Sequence, residues 1–190
     1  ETPVSLLAIL VRSADGSLKS GDDQFCSVKD TKYQVEAFTP DAVVAESLPS
    51  GLKHGINCNA DGTVSFVLYD KDKNGNHSPY CYIVGDWNEW KRVPEGAMKR
   101  DEAAGCWWIT LGGFNPDKEY RFQYRLGTKN GSDIRVSDPY TEIVYDQWND
   151  QYIPGMPAFP EGAKALVSAF RINRPQYAWQ VPDFKVEDKN

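Results

Sequence analysis

The chain has 190 residues, 41% of them hydrophobic and 13% aromatic, with six Trp and ten Tyr. This is apolar material for one or two packed domains, but the chain is too short for a (β/α)8 barrel of about 250 residues. A net charge of −6 and a pI near 5.0 argue against nucleic acid and anionic membranes as partners, and no apolar run nears the roughly 18 residues of a membrane helix.

The chain begins Glu1-Thr2-Pro3, the start expected of a processed or trimmed chain. Val4–Val11 is an apolar run closed by Ala14-Asp15-Gly16, a strand followed by a turn. Ser20–Asp23 is polar loop, and Tyr33–Phe38 alternates as a strand until Thr39-Pro40. Residues 1–44 therefore read as a segment of short strands with no family recognised in it. Ser47–Gly55 is loop, and Asn59-Ala60-Asp61-Gly62 is a turn. Thr63–Tyr69 follows with Val64, Phe66 and Leu68 on one face. Asp70–Ser78 is polar, and Tyr80–Val84 is the next strand. The simplest reading of Thr63–Val84 is a hairpin with a polar tip.

Gly85 stops that strand, and Asp86, Asn88 and Glu89 supply turn chemistry. Trp87 and Trp90 sit on the turn. Such rings either plug the end of a sandwich core or offer a flat apolar face to a flat ligand such as a sugar. Lys91–Ala104 is charged and irregular. Trp107, Ile109 and Leu111 then share one strand face, with Trp108 and Thr110 on the other. After a turn over Gly112–Asp117, Tyr120, Phe122, Tyr124 and Leu126 give the cleanest period-two pattern, and their alternates Glu119, Arg121, Gln123 and Arg125 predict a wet face. Asn130-Gly131 is a hairpin turn, Ile134–Val136 a short strand, and Ser137-Asp138-Pro139 a turn. Thr141–Tyr152 is mixed and carries Trp148 and Asn149. Pro154–Gly162 is loop, Lys164–Ile172 a last strand, and Tyr177–Phe184 shows no helical period. With 15 Gly, 12 Pro and scarce helical patterning, the chain reads as all-β.

Nucleophilic catalysis needs a nucleophile, a base and an orienting group within reach. The two imidazoles, His54 and His77, lie in loops without a nucleophile motif beside them and read as solvated. Cys26, Cys58, Cys81 and Cys106 lack zinc spacing and read as buried or partly buried thiols. Asp70, Asp72, Asn74 and Gly75 match the first half of a calcium loop, but Cys81 stands where the bidentate Glu belongs, so a plain loop is expected and no metal or cofactor. Paired glycosidase carboxylates on barrel strands have no counterpart here.

Tyr82–Trp90, Cys106–Leu111, Tyr120–Leu126 and Ser137–Pro139 carry a resemblance. The G-D-W-N-E-W turn, the W-x-I-x-L strand, the Y-R-F-Q-Y strand and the S-D-P turn occur in the order and at about the spacing of one family. It is the early-set, immunoglobulin-like module that precedes the catalytic barrel in alpha-amylase-type enzymes of glycoside hydrolase family 13, related to carbohydrate-binding module family 48. The resemblance covers roughly residues 48–170. It implies an immunoglobulin-like β-sandwich over 45–172, preceded by an additional short N-terminal β segment. Residues 173–190 would be a linker toward a catalytic (β/α)8 domain, with Tyr177, Trp179 and Phe184 an apolar patch awaiting that partner. The resemblance implies a non-catalytic accessory module that contacts starch- or glycogen-type α-glucans. Trp90 matches the family's first stacking tryptophan, with Trp87 beside it. Arg121 falls near its hydroxyl-binding lysine, and Asn149 lies near its asparagine. Arg135 stands where the family has a second stacking tryptophan, a departure that favours a structural or protein-interaction module. An autonomous glycogen-sensing module is a further alternative.

Overall fold

Val64, Phe66 and Leu68 turn inward and meet Ile83, Trp107, Phe122 and Tyr124 in one buried cluster. Alternation at a period of two puts one side chain in every pair on that side, and the sheets that carry them are two. The computed structural model describes residues 38–129 and 132–175, together with the backbone of Leu6–Ile9 and Gln24–Ser27. In chain order the strands are β1 Leu6–Ile9, β2 Gln24–Ser27, β3 Gly55–Cys58, β4 Val64–Tyr69, β5 Cys81–Gly85, β6 Lys99–Asp101, β7 Cys106–Leu111, β8 Tyr120–Gly127, β9 Asp133–Val136, β10 Ile143–Asp146 and β11 Leu166–Phe170. The longest helical pieces described are two 3-10 turns, Pro94–Gly96 and Asp150–Tyr152.

β1 and β2 pair with each other as an antiparallel ribbon. One sandwich sheet has the order β3-β4-β7-β6. The other runs β10-β11-β8-β5. In that sheet β9 shares one edge of β8 with β11: β11 pairs with Tyr120–Phe122, and β9 with Tyr124–Gly127. All pairings between these strands are antiparallel, and the two sheets pack face to face as an immunoglobulin-like β-sandwich.

The expected Thr63–Val84 hairpin does not form. β4 pairs with β3 and β7, whereas β5 pairs with β8 in the opposite sheet. The nine-residue loop Asp70–Ser78 carries the chain across the sandwich, and a loop of that length need not return to its neighbour. The irregular segment 91–104 contains β6, and the mixed segment 141–152 contains β10. Both are edge strands too short to print a period. Ala97 and Met98 bond to Tyr82 and Cys81 of β5 before Lys99–Asp101 pair with β7. One side of the sandwich is thereby stitched shut by a strand that changes sheets.

Both faces of the central strands are covered. Trp108, Val67 and Cys106 form a second cluster on the outer face of their sheet under Leu48 and Leu52, and the Trp108 indole donates to Glu46 O at 3.0 Å. The wet face expected of β8 is a correction too. Gln123 is 1% exposed. Its amide nitrogen donates to Lys164 O at 2.6 Å and to Leu166 O at 2.7 Å. The returning chain ahead of β11 covers that face, and a period-two pattern carries no sign of it. Tyr33–Ala37, the Asn130-Gly131 turn and the tail residues Tyr177, Trp179 and Phe184 lie outside the described residues.

Candidate functional site

Tyr145 of β10 lies where several of the expected site residues converge. Its ring packs with Val84, Trp90, Ala163, Val167 and Ala169, and Ile143, Met156 and Phe159 close the cluster. Register builds this surface: Gln123 pairs with Val84, and Arg121 pairs with Ala169, which pairs with Ile143. These positions share the outer face of the β8 sheet. A cleft of about 400 Å³ opens over it, lined by Tyr145, Gln147, Gln151, Ile153, Met156 and Phe159 among others. Burial, and then the bond its hydroxyl donates to Glu119, push the Tyr145 phenol up to about 12.

Trp90 sits inside this cluster, 7% exposed. The turn Gly85–Trp90 explains why. Asn88 accepts from Gly85 N at 2.8 Å and donates to Ile83 O at 3.1 Å. Glu89 and Trp90 then take φ of 52° and 61°, in the left-handed region. Trp90 N bonds back to Gly85 O at 3.1 Å, and the indole folds onto Val84 and Val167 instead of pointing to solvent. Gly162 packs against it; a Cβ there would lie 3.2 Å from Trp90 Cβ.

Arg121 is close by and fully engaged. Its Nε donates to Asp86 Oδ2 at 3.1 Å, Nη2 to Asp86 Oδ1 at 3.3 Å, and Nη1 to Ala158 O at 2.9 Å. The guanidinium carbon lies 5.8 Å from the Tyr145 ring centre. Arg121 thus ties the G-D-W-N turn to the rim of the cleft. Asn149 stands on the exposed turn after β10. Asp146 accepts from Trp148 N at 2.8 Å, Asn149 N at 3.2 Å and Asn149 Nδ2 at 2.6 Å. The Asn149 bond first, then that from Trp148 N, hold the Asp146 carboxyl below its usual range.

Arg135 lies on β9 opposite Arg125 and donates to Gln123 Oε1 at 3.3 Å. Burial, then the charge of Arg125, pull its pKa below the usual arginine range. Next to it, Asp133 accepts from Arg92 at 2.7 Å and Arg125 at 2.8 Å. Trp87 is separate. It points between the sheets, over Phe66 at 6.0 Å and beside Phe114 at 5.2 Å, half-buried at the end of the main core.

Three side chains on and after the turn that follows β10 are exposed: Trp148 at 58%, Tyr152 at 78% and Ile153, which lines the cleft, at 52%. Asp146 accepts from Trp148 N in an Asx turn, which the sequence D-Q-W-N-D signals without giving the direction of the ring.

The remaining candidates resolve simply. Asp72 of the half calcium motif accepts from Asn74 N and Asn76 N, both at 2.8 Å, and caps the loop. His77 is not merely solvated. Its Nδ1 lies 2.8 Å from Ser78 O, its Nε2 3.3 Å from Glu102, and its ring stands edge-on to Trp107. His54 is exposed between Tyr69 and Tyr140. Cys81 and Cys106 are buried as expected, but Cys58 is exposed because β3 is an edge strand.

No protein-family model matches the chain. Over 65 residues, 34% of its length, the chain is 31% identical to the 1,4-alpha-glucan branching enzyme GlgB of Aquifex aeolicus (strain VF5). That stretch corresponds to 10% of the enzyme, so the chain spans only a small part of the curated relative it matches.

Proposed function

We propose that the chain is a non-catalytic accessory module of an enzyme acting on α-glucans, of the glycoside hydrolase family 13 type and most simply a 1,4-α-glucan branching enzyme. Residues 45–172 are the sandwich, 1–44 an added segment, and 173–190 a linker to a (β/α)8 catalytic domain on the same polypeptide. The module packs on that domain and contacts its glucan. The observation that carries this reading is the similarity to the branching enzyme, on a chain folded as a β-sandwich.

The glucan surface is the cleft over Tyr145. Trp90 packs in the cluster with Tyr145, Arg121 holds Ala158 of the lining, and Asn149 and the exposed rings of Trp148 and Tyr152, on the turn after β10, extend the surface and supply the stacking faces. Gel mobility in soluble starch or glycogen tests this. Wild-type protein is retarded; Trp148→Ala with Tyr152→Ala runs as in polymer-free gel while keeping the same urea midpoint. Equal mobility of wild type with and without polymer would remove glucan contact and leave the second reading, a packing module without a sugar site. That reading is favoured by Arg135 in place of a stacking ring and by Arg121 being engaged by Asp86.

A further inference from the structure

Trp87 belongs to a second cleft, distinct from the Tyr145 surface. The cleft lies between the Gly85–Trp90 turn, the 3-10 turn Pro94–Gly96 and the turn Gly112–Phe114, and holds about 390 Å³. That is within the range of about 300–1,000 Å³ typical of small-molecule sites. Its walls are aromatic: Phe114 stands 5.2 Å from Trp87 and 4.9 Å from Tyr120, both edge to face.

The polar groups are few. A Cβ on Gly85 would meet Trp87 Cζ3 at 2.7 Å and Cη2 at 2.9 Å. The benzo end of the indole is therefore seated on Gly85, and the pyrrole end, with Nε1, is turned away from it. Trp107 and Trp108 donate their indole protons to Asp70 and Glu46 O. Trp87 Nε1 has no such partner among the described residues and is not one of their buried unsatisfied atoms. Glu95 lines the cleft, is exposed, and forms no hydrogen bond or ion pair among the described residues. Tyr120 Oη accepts from Asn115 N at 3.0 Å and keeps its own proton to donate. No Lys or Arg lines the cleft.

We propose that this cleft binds one neutral hexopyranose unit. Its C–H face rests on Trp87 with Phe114, at 81° to that ring, as the adjoining wall; Glu95 accepts from its hydroxyls, and the Trp87 N–H and Tyr120 O–H donate to them. The lining carries one carboxylate and no cation, with Lys118 Nζ, not on the lining, 5.0 Å from the Tyr120 ring centre; this favours a neutral sugar over a sugar phosphate, and polar groups among aromatic walls suit a polyol better than an apolar ligand. The site goes beyond the proposed glucan surface and does not depend on it.

Titration of ¹⁵N-labelled protein with glucose, maltose and glucose phosphate reads both sites at once. Expected are saturable shifts of the Trp87 indole and the Gly112 and Gly113 amides with the neutral sugars, and none with the phosphate. Glu95→Ala weakens binding about tenfold or more, the loss expected for a hydrogen bond to a charged group. Gly112→Leu blocks the cleft; a Cβ there meets only Thr63 Cγ2, at 3.6 Å, so the fold is kept. Unmoved Trp87 and Gly112 signals at saturating sugar, or affinities unchanged in both variants, would overturn the site. Shifts confined to the Trp148 indole would overturn it while supporting the Tyr145 surface. Shifts confined to Trp87, without gel retardation, would uphold it and remove that surface.

Discussion

Tyr124 donates its phenolic proton to Asp138 Oδ2 at 2.7 Å, both groups buried within the sandwich. Asp138 also accepts from Tyr140 N at 2.7 Å, and its own N donates to Ser168 Oγ at 2.7 Å. The pair thus fastens the turn after β9 to β8 and β11. Burial raises the Asp138 carboxyl above its ordinary range, and the Tyr124 bond opposes that rise. A raised folded pKa means that folding favours the protonated acid. This contribution to stability is full below the ordinary carboxyl range and is lost as pH rises through the folded value. Removing the phenol raises that value further. Tyr124→Phe should therefore destabilise by about 1–3 kcal/mol near neutrality, and by clearly less near pH 4. Urea midpoints of wild type and variant at the two pH values check it. A cost that does not change with pH would mean that Asp138 keeps one protonation state across that range and would contradict the prediction.

The Arg121–Asp86 pair should behave as a fold element. Asp86 accepts from both the Arg121 backbone N and Nε, at 2.9 and 3.1 Å. A lysine cannot reproduce that fork together with the bond to Ala158 O. Arg121→Lys is expected to lose about 1–3 kcal/mol in urea unfolding. If the same variant unfolds like wild type yet loses retardation in glycogen gels, Arg121 is a hydroxyl-binding residue instead.

Gln123 bridges β8 to the chain entering β11 through Lys164 O and Leu166 O. Gln123→Leu keeps the volume and removes the donor shared by Lys164 O and Leu166 O. We expect a loss of about 1–3 kcal/mol, seen as a lower thermal midpoint, for two part-buried hydrogen bonds.

Thiol labelling tests the edge position of β3. In a Cys26→Ser background, a disulfide reagent should modify Cys58 in native protein, and more quickly as pH rises, because partial burial pushes its thiol up. Cys81 and Cys106, held up chiefly by burial, should react only on addition of denaturant. Equal reactivity of all three in native protein would contradict the buried positions of β5 and β7.

The strands were readable from side-chain alternation, whereas the immunoglobulin-like sandwich was what the family resemblance implied. Tyr120, Phe122, Tyr124 and Leu126 do face the core, as do Trp107 and Ile109. Partnership was less readable. Val64–Tyr69 and Tyr80–Val84 each print a period, but nothing in a period says which strand lies beside it, and the two lie in opposite sheets. The site suffered more. The G-D-W-N-E-W turn marked Trp90 as a displayed ring, yet positive φ at Glu89 and Trp90 folds it inward. A motif fixes where a turn occurs, not which way its indole leaves the backbone. Trp148, which no motif marked, is the ring that faces water.

One rim of the molecule cannot take part in strand-to-strand association. Ala45 bridges Arg100, with Glu46 N and Arg100 N each bonded across, so the outer groups of β6 are satisfied from within. Among the described residues, β3, β9 and β10 of the sandwich each have one ladder without a strand partner. These are places from which an oligomer growing by backbone addition would start, and a single proline would block each of them.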